Sequence, residues 1–367
     1  MKKIACLIIC TLLATILCCQ RDLTAPESLS FAWPQASPES QGLDAQQLNA
    51  AFNEAGKTSF VYALVVTRNG YLVGERYYRG TDKNDAHTIR SVSKSFLSAL
   101  YGIALENGHL ATLDTPMVDF LPDYAKFIQD KRMAGVTLSH LLTMRSGFDG
   151  DSKILFDVIY SDNWLRAALS QKLIFNPGSS YRYSTVGTHL LSVILTKATG
   201  QTTRDYAIDF LFEPLGISIL DWARDPQGYY FGGNDMYITP RDMARFGWLY
   251  LNNGKLNGQQ IVPAAWVDLS TSVSYRYQNG TWGAIDNIGY GYLWWLGEMR
   301  DIPLVMALGY GGQFIFNFPT LNMVVSAASF SDFADWDAAD AQERAVTEIV
   351  ANFILPAILQ GSKTVLF

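Results

Sequence analysis

Apolar and polar residues alternate with a period of two in several short segments of the chain, and this pattern predicts β-strands. Residues 60–67 and 71–78 are rich in β-branched and aromatic residues, and the Asn69-Gly70 pair between them is a strong hairpin signal. Because a two-residue hairpin joins antiparallel neighbours, the predicted sheet is antiparallel. Further strand patterns occur at residues 290–296, 304–308, 313–318 and 323–329.

Other segments repeat apolar residues at intervals of three and four, which is typical of helices packed on a core. Asp44 and Thr239 provide start signals for two of these segments. Either Thr137 or Ser139 caps another, and Gly200 follows the end of a fourth. The predicted helices span residues 43–54, 91–106, 136–145, 185–199, 239–251 and 338–354.

The order of these elements indicates the fold class. Strands and helices at the two ends of the chain enclose a mainly helical stretch, so we predict an α/β (α+β) protein whose antiparallel sheet is flanked by helices. The globular domain would comprise residues 41–360, with an α/β lobe built from 41–112 and 236–360 and a mostly helical lobe at 113–235. We expect a functional site where the lobes meet.

The N-terminal segment differs from the rest of the chain. A basic pair precedes an apolar run over residues 4–17, which ends at Cys18-Cys19. This pattern predicts a signal segment at residues 1–19, export to the periplasm or cell envelope, and membrane attachment through lipid on Cys18 or Cys19. A plain signal peptide and an uncleaved anchor stay open as alternatives. Residues 20–40 are rich in proline and serine and are predicted to form a linker.

Composition narrows the possible partners. The chain has 367 residues, 49% of them hydrophobic, and a net charge of −6. A large core is therefore expected, and the acidic balance argues against nucleic acid as a partner. The domain is predicted to lack disulfides and thiol nucleophiles, and we expect no metal and no cofactor because no ligand spacing occurs. The composition does not predict an oligomeric state. All the cysteines belong to the signal segment, at Cys6, Cys10, Cys18 and Cys19.

The candidate chemistry lies at the start of the second predicted helix, where Ser91 and Lys94 are one turn apart on the same face. A serine hydroxyl is a weak nucleophile until a neighbouring group accepts its proton. A lysine can accept it once burial or another cation lowers its pKa from about 10.4. The N–H groups and dipole of the helix start also favour an anionic intermediate at Ser91. A Ser-x-x-Lys tetrapeptide occurs by chance, so its interpretation depends on other motifs.

Two further stretches, residues 176–185 and 307–313, support the interpretation. Together with Ser91-x-x-Lys94, their order and spacing resemble the serine hydrolases of the class C β-lactamase and D,D-peptidase type. That family also contains esterases and 6-aminohexanoate-dimer hydrolases. The resemblance covers residues 37–355 and implies a β-lactamase/transpeptidase-like fold.

The resemblance implies a role for each matching residue. Ser91 would be the nucleophile, Lys94 would help to deprotonate it, and Tyr183 would shuttle protons with a phenol pKa lowered by neighbouring cations. The backbone N–H groups of Ser91 and Tyr310 would form the oxyanion hole. The predicted substrate-binding residues are Thr185, Gly309, Gly312 and Gln313.

Two departures from the β-lactamase pattern affect the expected substrate. Thr185 stands where asparagine is usual, so the side-chain amide that would hold a substrate amide is missing. Ala307 stands where lysine or histidine begins the third motif, so the cation that would hold a substrate carboxylate is missing. Both changes leave acyl transfer intact and favour a small ester, or an amide of the aminohexanoate type.

Three functions therefore stay open. The first is an exported serine hydrolase that cleaves a small ester or amide through an acyl-enzyme. The second is a cell-wall D,D-peptidase or weak β-lactamase. The third is a catalytically silent relative that acts as a binding or sensor protein.

Overall fold

The computed structural model describes residues 32–278, 280–332 and 335–359. The predicted signal segment, with Cys18 and Cys19, lies outside the described residues, as does the predicted linker up to residue 31. Within the described ranges, no helix has both the length and the apolar character needed to cross a membrane.

The strands confirm the predicted sheet. Eight of them form one sheet in the order β2-β1-β13-β12-β11-β10-β9-β8, and each neighbouring pair is antiparallel. The strands described are β1 (Val61–Arg68), β2 (Tyr71–Tyr77), β3 (His87–Thr88), β4 (Asp221–Trp222), β5 (Met236–Ile238), β6 (Lys255–Leu256), β7 (Gln259–Gln260), β8 (Tyr275–Arg276), β9 (Asp286–Tyr290), β10 (Trp295–Met299), β11 (Ile302–Gly309), β12 (Gln313–Phe318) and β13 (Met323–Ser329).

The N-terminal hairpin joins the C-terminal strands where β1 pairs with β13, for example at Leu64 opposite Ala327. The turn of this hairpin is the one that the sequence predicts. Asn69 and Gly70 have φ angles of 52° and 79°, and a type I′ turn requires positive φ at both central residues.

One strand prediction is wrong. Residues 290–296 form the end of β9, a tight turn and the start of β10, rather than one strand. Leu293 has a φ of 63°, and the Gly291 N–H donates to the Trp294 carbonyl at 2.9 Å, so the chain reverses here. Leu293 and Trp294 are buried in the turn. An apolar run alone does not distinguish such a buried turn from a strand.

The helices follow the predicted order. They are α1 (Ala45–Lys57), α2 (Ser93–Glu106), α3 (Leu138–Leu142), α4 (Asp151–Ile159), α5 (Trp164–Leu169), α6 (Thr185–Thr199), α7 (Thr203–Ala207), α8 (Glu213–Leu215), α9 (Pro240–Leu251), α10 (Ala264–Ser270) and α11 (Trp336–Ile349), with π-helical turns at Ile208–Phe212 and Val350–Ile354.

The end of α3 and the start of α11 differ from the predicted helix limits, because the residues that end or cap these helices are not the predicted ones. The α3 helix is shorter than predicted because Met144, at a φ of 57°, ends the helical backbone before Gly147. Thr137 caps it by accepting the His140 N–H at 3.3 Å. The α11 helix begins two residues early because Asp335 caps it through the Asp337 N–H at 2.9 Å.

The large sheet separates two hydrophobic cores. The α1 and α11 helices contribute to one core, and α2, α6 and α9 contribute to the other. Side chains of β12 alternate between them, with Phe314 and Phe316 in the first and Ile315 in the second.

The α2 helix is enclosed on all sides. Every residue from Ser93 to Ala104 is buried, which explains why this segment is apolar around most of its circumference. Its Phe96 ring stacks on Phe246 of α9, with ring centroids 3.7 Å apart. Helices α3 to α8 follow it, and the division of the domain into two lobes stays a prediction.

Candidate active site

Ser91 lies in a 3-10 turn, Arg90–Val92, directly before α2, and lines a cleft of about 860 Å³. Arg90 has a φ of 47°, a conformation that is unfavourable for an arginine. Its guanidinium donates to the Ser331 carbonyl at 2.8 Å, to the Ser331 hydroxyl at 3.0 Å and to Asp235 at 3.1 Å. These bonds hold the backbone that presents Ser91 at the helix N-terminus, where the dipole favours negative charge.

Lys94 contacts the predicted nucleophile. Its Nζ lies 2.8 Å from Ser91 Oγ and 2.7 Å from the Gly233 carbonyl oxygen. A Cβ added to Gly233 would lie 3.0 Å from Nζ and 2.3 Å from Thr188 Oγ1, so glycine permits this close approach. Only 1% of Lys94 is exposed, and burial lowers its pKa to about 8.

Tyr183 lines the same cleft as Ser91. Its ring centroid is 4.9 Å from Lys94 Nζ, and the Ser91 side chain is close enough to lower the pKa of the phenol. Burial, and next the carboxylate of Asp151, raise the pKa of Tyr183 well above its usual value. The expectation of a lowered phenol pKa is therefore wrong, because desolvation of the buried phenol is the largest contribution and raises its pKa. Tyr183 consequently keeps its proton and can act as a hydrogen-bond donor.

Asp151 is a residue that the sequence reasoning missed. It is the first residue of α4, and its carboxylate accepts the Thr185 N–H at 2.6 Å and the Thr185 hydroxyl at 2.5 Å. Burial raises the pKa of Asp151, and the nearby Lys94 opposes that shift. Thr185, which is predicted to bind substrate, lines the cleft, but its hydroxyl donates to Asp151. A lone Gly-Asp at a helix start carries no motif, so the sequence offered no signal for Asp151.

The third motif forms a turn at residues 309–312, hereafter the third-motif turn, and it lies against the backbone that precedes Ser91. A Cβ added to Gly309 would lie 2.4 Å from the Ile89 carbonyl oxygen. Tyr310 lines the cleft, and its hydroxyl donates to the Asp335 carbonyl at 3.1 Å. The turn thus brings the peptide of Tyr310 to the same region as Ser91, as an oxyanion pair requires.

Gln313 and Gly312, both predicted to bind substrate, are not among the residues that line the cleft. The Gln313 side chain is fully buried in the sheet, where its amide donates to the Ser329 carbonyl at 2.7 Å and accepts the Ser329 N–H at 3.1 Å. This arrangement is at odds with substrate binding, because both polar ends of the amide are used to join β12 to β13. Gly312, at a φ of 96°, packs against Ser329 and Val346 and supplies the reversed backbone of the turn.

The cleft is lined by aromatic, aliphatic and acidic residues. The Tyr183 ring stacks on Trp295 with ring centroids 5.8 Å apart, and the Tyr181 ring stacks on Tyr275 with ring centroids 4.7 Å apart. The aromatic and aliphatic lining residues include Leu155, Phe156, Ile159, Tyr160, Tyr181, Tyr183, Phe231, Tyr275, Tyr277, Trp295, Tyr310 and Trp336. The charged lining residues are Asp151, Asp235, Asp332, Asp340 and Glu343, with Arg90 and Arg182.

The fold and the grouped serine, lysine and tyrosine agree with a comparison to protein families. A family model described as Beta-lactamase matches residues 49–348. The chain therefore belongs to the beta-lactamase family of serine hydrolases.

Individual relatives include a 6-aminohexanoate-dimer hydrolase and an esterase. The chain is 23% identical over 292 residues to the 6-aminohexanoate-dimer hydrolase of Paenarthrobacter ureafaciens, covering 74% of this chain and 73% of that protein. It is 27% identical over 201 residues to esterase EstB of Burkholderia gladioli, covering 47% of this chain and 50% of EstB.

A solved structure has the same fold over most of the chain. A Bacillus anthracis protein, provisionally named a 6-aminohexanoate-dimer hydrolase, superposes with a TM-score of 0.70 at 21% identity. The match covers 92% of this chain and 89% of that one. The predicted β-lactamase/transpeptidase-like fold is therefore confirmed.

Proposed function

We propose that the protein is a serine hydrolase that cleaves small uncharged esters or amides through an acyl-enzyme on Ser91. The observation that supports this most is the 2.8 Å contact between Ser91 Oγ and a buried Lys94. With a pKa of about 8, roughly one lysine in ten is neutral at pH 7, compared with roughly one in a few thousand at the usual value. The site therefore contains a nucleophile and an available base in contact.

In the proposed reaction, Ser91 Oγ attacks the carbonyl carbon of the substrate while its proton passes to Lys94 Nζ. The carbonyl π electrons move to oxygen, and the backbone N–H groups of Ser91 and Tyr310 stabilise that oxyanion, each by about 3 kcal/mol. The intermediate then collapses, and the bond to the leaving group breaks. The proton on Lys94 reaches the leaving group through the Tyr183 hydroxyl, which gives one proton and takes another. Water repeats these steps to release the acid.

The cleft supports an uncharged substrate. Its charged lining consists of more carboxylates than arginines, which disfavours anionic substrates. Both arginines have acidic neighbours, since Arg90 binds Asp235 and Arg182 lies 3.9 Å from Asp149. Ala307, at the position of the family's usual cation, is buried. A β-lactam or D-alanine carboxylate therefore has few groups to hold it, whereas the aromatic lining residues can hold an apolar acyl or leaving group.

The names of the relatives agree with this reaction class. One curated relative is named a 6-aminohexanoate-dimer hydrolase, which is an amidase name, and another is named an esterase. Neither name identifies the substrate of this chain, and both fit acyl transfer to a serine.

A fluorophosphonate probe tests the proposal, because it reacts with activated serines. We expect labelling of the wild type, loss of labelling in Ser91→Ala, and normal labelling in Ser179→Ala, which alters an exposed serine outside the cleft. A screen of p-nitrophenyl esters, D-amino-acid amides and nitrocefin then identifies the substrate class. Labelling that persists in Ser91→Ala would overturn the proposal. Folded wild type without labelling would support a binding protein, and acylation of Ser91 by labelled penicillin would support the peptidase alternative.

We also propose that the protein is exported to the periplasm or cell envelope and attached to the membrane by lipid. The support is the basic and apolar character of residues 1–19 and the pair Cys18-Cys19. Metabolic labelling of the full chain with a radioactive fatty acid tests this. Label that is lost in either Cys18→Ser or Cys19→Ser identifies the lipidated residue, and absence of label from the wild type contradicts lipidation.

A further inference from the structure

The third-motif turn is bound by side chains from outside the turn. Gly311 and Gly312 have φ angles of 78° and 96°, a backbone region that glycine enters easily and with little intrinsic preference. The peptide of Tyr310 lies in this turn, and an oxyanion donor works only when its N–H is held about 2.7–3.1 Å from the developing charge. The pairing of Gly309 with Gln313 and the bond from the Gly312 N–H to the Gly309 carbonyl close the turn, and contacts from outside it can fix the orientation of the Gly311 peptide.

Two adjacent side chains of α11 hold the peptide groups of Gly311. Glu343 Oε1 accepts the Gly311 N–H at 2.8 Å. The Gln342 amide donates to the Gly311 carbonyl and also to the Phe330 carbonyl, at 2.5 Å for the second bond. Both hydrogen-bonding groups of the residue after Tyr310 are thus bound by neighbouring residues of one helix.

The same network reaches the Ser91 side of the cleft. Gln342 binds Phe330, and the next residue, Ser331, is bound by the guanidinium of Arg90 through its carbonyl and its hydroxyl. Arg90 directly precedes Ser91. Arg90, which precedes the predicted donor Ser91, is therefore bound to Ser331. Gly311, which follows the predicted donor Tyr310, is linked through Gln342 to the adjacent residue, Phe330. This connection links the two backbone segments that carry the donors.

We propose that Gln342 and Glu343 are positioning residues that orient the Tyr310 N–H toward the oxyanion by holding Gly311. The inference rests on the proposed function, because it concerns the oxyanion hole of that reaction. Neither side chain is assigned a chemical step. Their loss is expected to weaken an interaction that strengthens in the transition state, so kcat should fall while KM changes little.

The test compares Glu343→Ala with Glu343→Gln. The glutamine keeps an oxygen that accepts the Gly311 N–H, whereas alanine removes it. With a p-nitrophenyl ester that the wild type cleaves, we expect Glu343→Ala to lower kcat about 10- to 100-fold, with KM within about twofold. Glu343→Gln should stay within about threefold of wild type. The matched control is Glu348→Ala, which alters an exposed residue of the same helix.

A second readout separates positioning from general damage. Phenylboronic acid forms a tetrahedral adduct with an active serine, and its inhibition should weaken in Glu343→Ala by a factor similar to the loss in kcat. If Glu343→Ala does not fold, Glu343→Asp replaces it. Aspartate keeps the charge, but its side chain is too short to reach the Gly311 N–H, so we again expect kcat to fall while KM changes little. The inference would be overturned if Glu343→Ala, or Glu343→Asp in its place, kept the wild-type kcat. It would also be overturned if Glu343→Gln lost as much kcat as that variant. Failure of wild-type Ser91 to react with fluorophosphonate would instead overturn the proposed function itself.

Discussion

The Ser91 turn (Arg90–Val92) and the third-motif turn face one cleft, but they are held in place by different means. The Ser91 turn is held by the hydrogen bonds of Arg90, and it also leads into α2, whose residues from Ser93 to Ala104 are closely packed. The third-motif turn is rich in glycine, and side chains from α11 hold it by hydrogen bonds. The comparison indicates that the nucleophile and base resist local changes in the surroundings, whereas the oxyanion side depends on a few polar contacts.

The largest expected effect comes from the packed side of the cleft. Lys94→Met keeps the length and volume of the side chain and removes the amine that contacts Ser91. Because a buried methionine has no charge to desolvate, we expect the variant to fold with a melting temperature at least as high as that of the wild type. Ester turnover should fall about 10³-fold or more, since the base is gone. Steady-state kinetics beside thermal melting checks both, and turnover close to wild type would refute the role of Lys94.

Tyr183→Phe should have the next largest effect, about 10²-fold on kcat. Its pH dependence distinguishes two roles of the phenol. Because burial raises the pKa of Tyr183, the phenol stays protonated across the neutral range and the loss should be the same at each pH from 6 to 9. A loss that grows with rising pH would show that a phenolate acts instead. Kinetics at several pH values, corrected for any change in wild-type activity, makes this measurement.

Contacts between residues close in sequence could be predicted from the sequence, whereas contacts between distant residues could not. The hairpin at Asn69-Gly70 and the helix end at Gly200 follow from local patterns of a few residues, and these predictions were confirmed. Ser91 and Lys94 lie one helical turn apart, so their contact is also local. Gln313 resembled a substrate-binding residue because its neighbours match a motif, but its side-chain direction depends on Ser329 of another strand.

Asp151 and Glu343 could not be predicted for the same reason. Each meets its partner across a long separation in sequence, since Asp151 binds Thr185 and Glu343 binds Gly311. No periodicity or motif encodes such tertiary contacts. The pKa of Tyr183 was predicted in the wrong direction because the sequence shows which charges are nearby in the chain, but not how completely a ring is buried.

Gly309→Ala tests whether the two turns must touch. The added Cβ would lie 2.4 Å from the Ile89 carbonyl oxygen, so the turns have to separate. We expect kcat to fall about tenfold or more, and stability to fall by about 1–3 kcal/mol through overpacking. Gly135→Ala is the matched control, because open space surrounds that position. If Gly309→Ala keeps full activity, the third-motif turn does not take part in the reaction.

The smallest expected effect concerns the charge of Asp151. In the wild type, kcat/KM should rise with pH and level off above about 8, because Lys94 must be neutral to accept the Ser91 proton. The Asp151 carboxylate raises the pKa of Lys94, since a nearby negative charge favours the ammonium form. Asp151→Asn removes that charge, so the rise should move to lower pH and activity at pH 6 should increase relative to the plateau. Asp157→Asn, on the exposed face of α4, should leave the profile unchanged. An unchanged profile in Asp151→Asn would mean that Asp151 already carries a proton in this range, so that its role is limited to the hydrogen bonds that hold Thr185 at the start of α6.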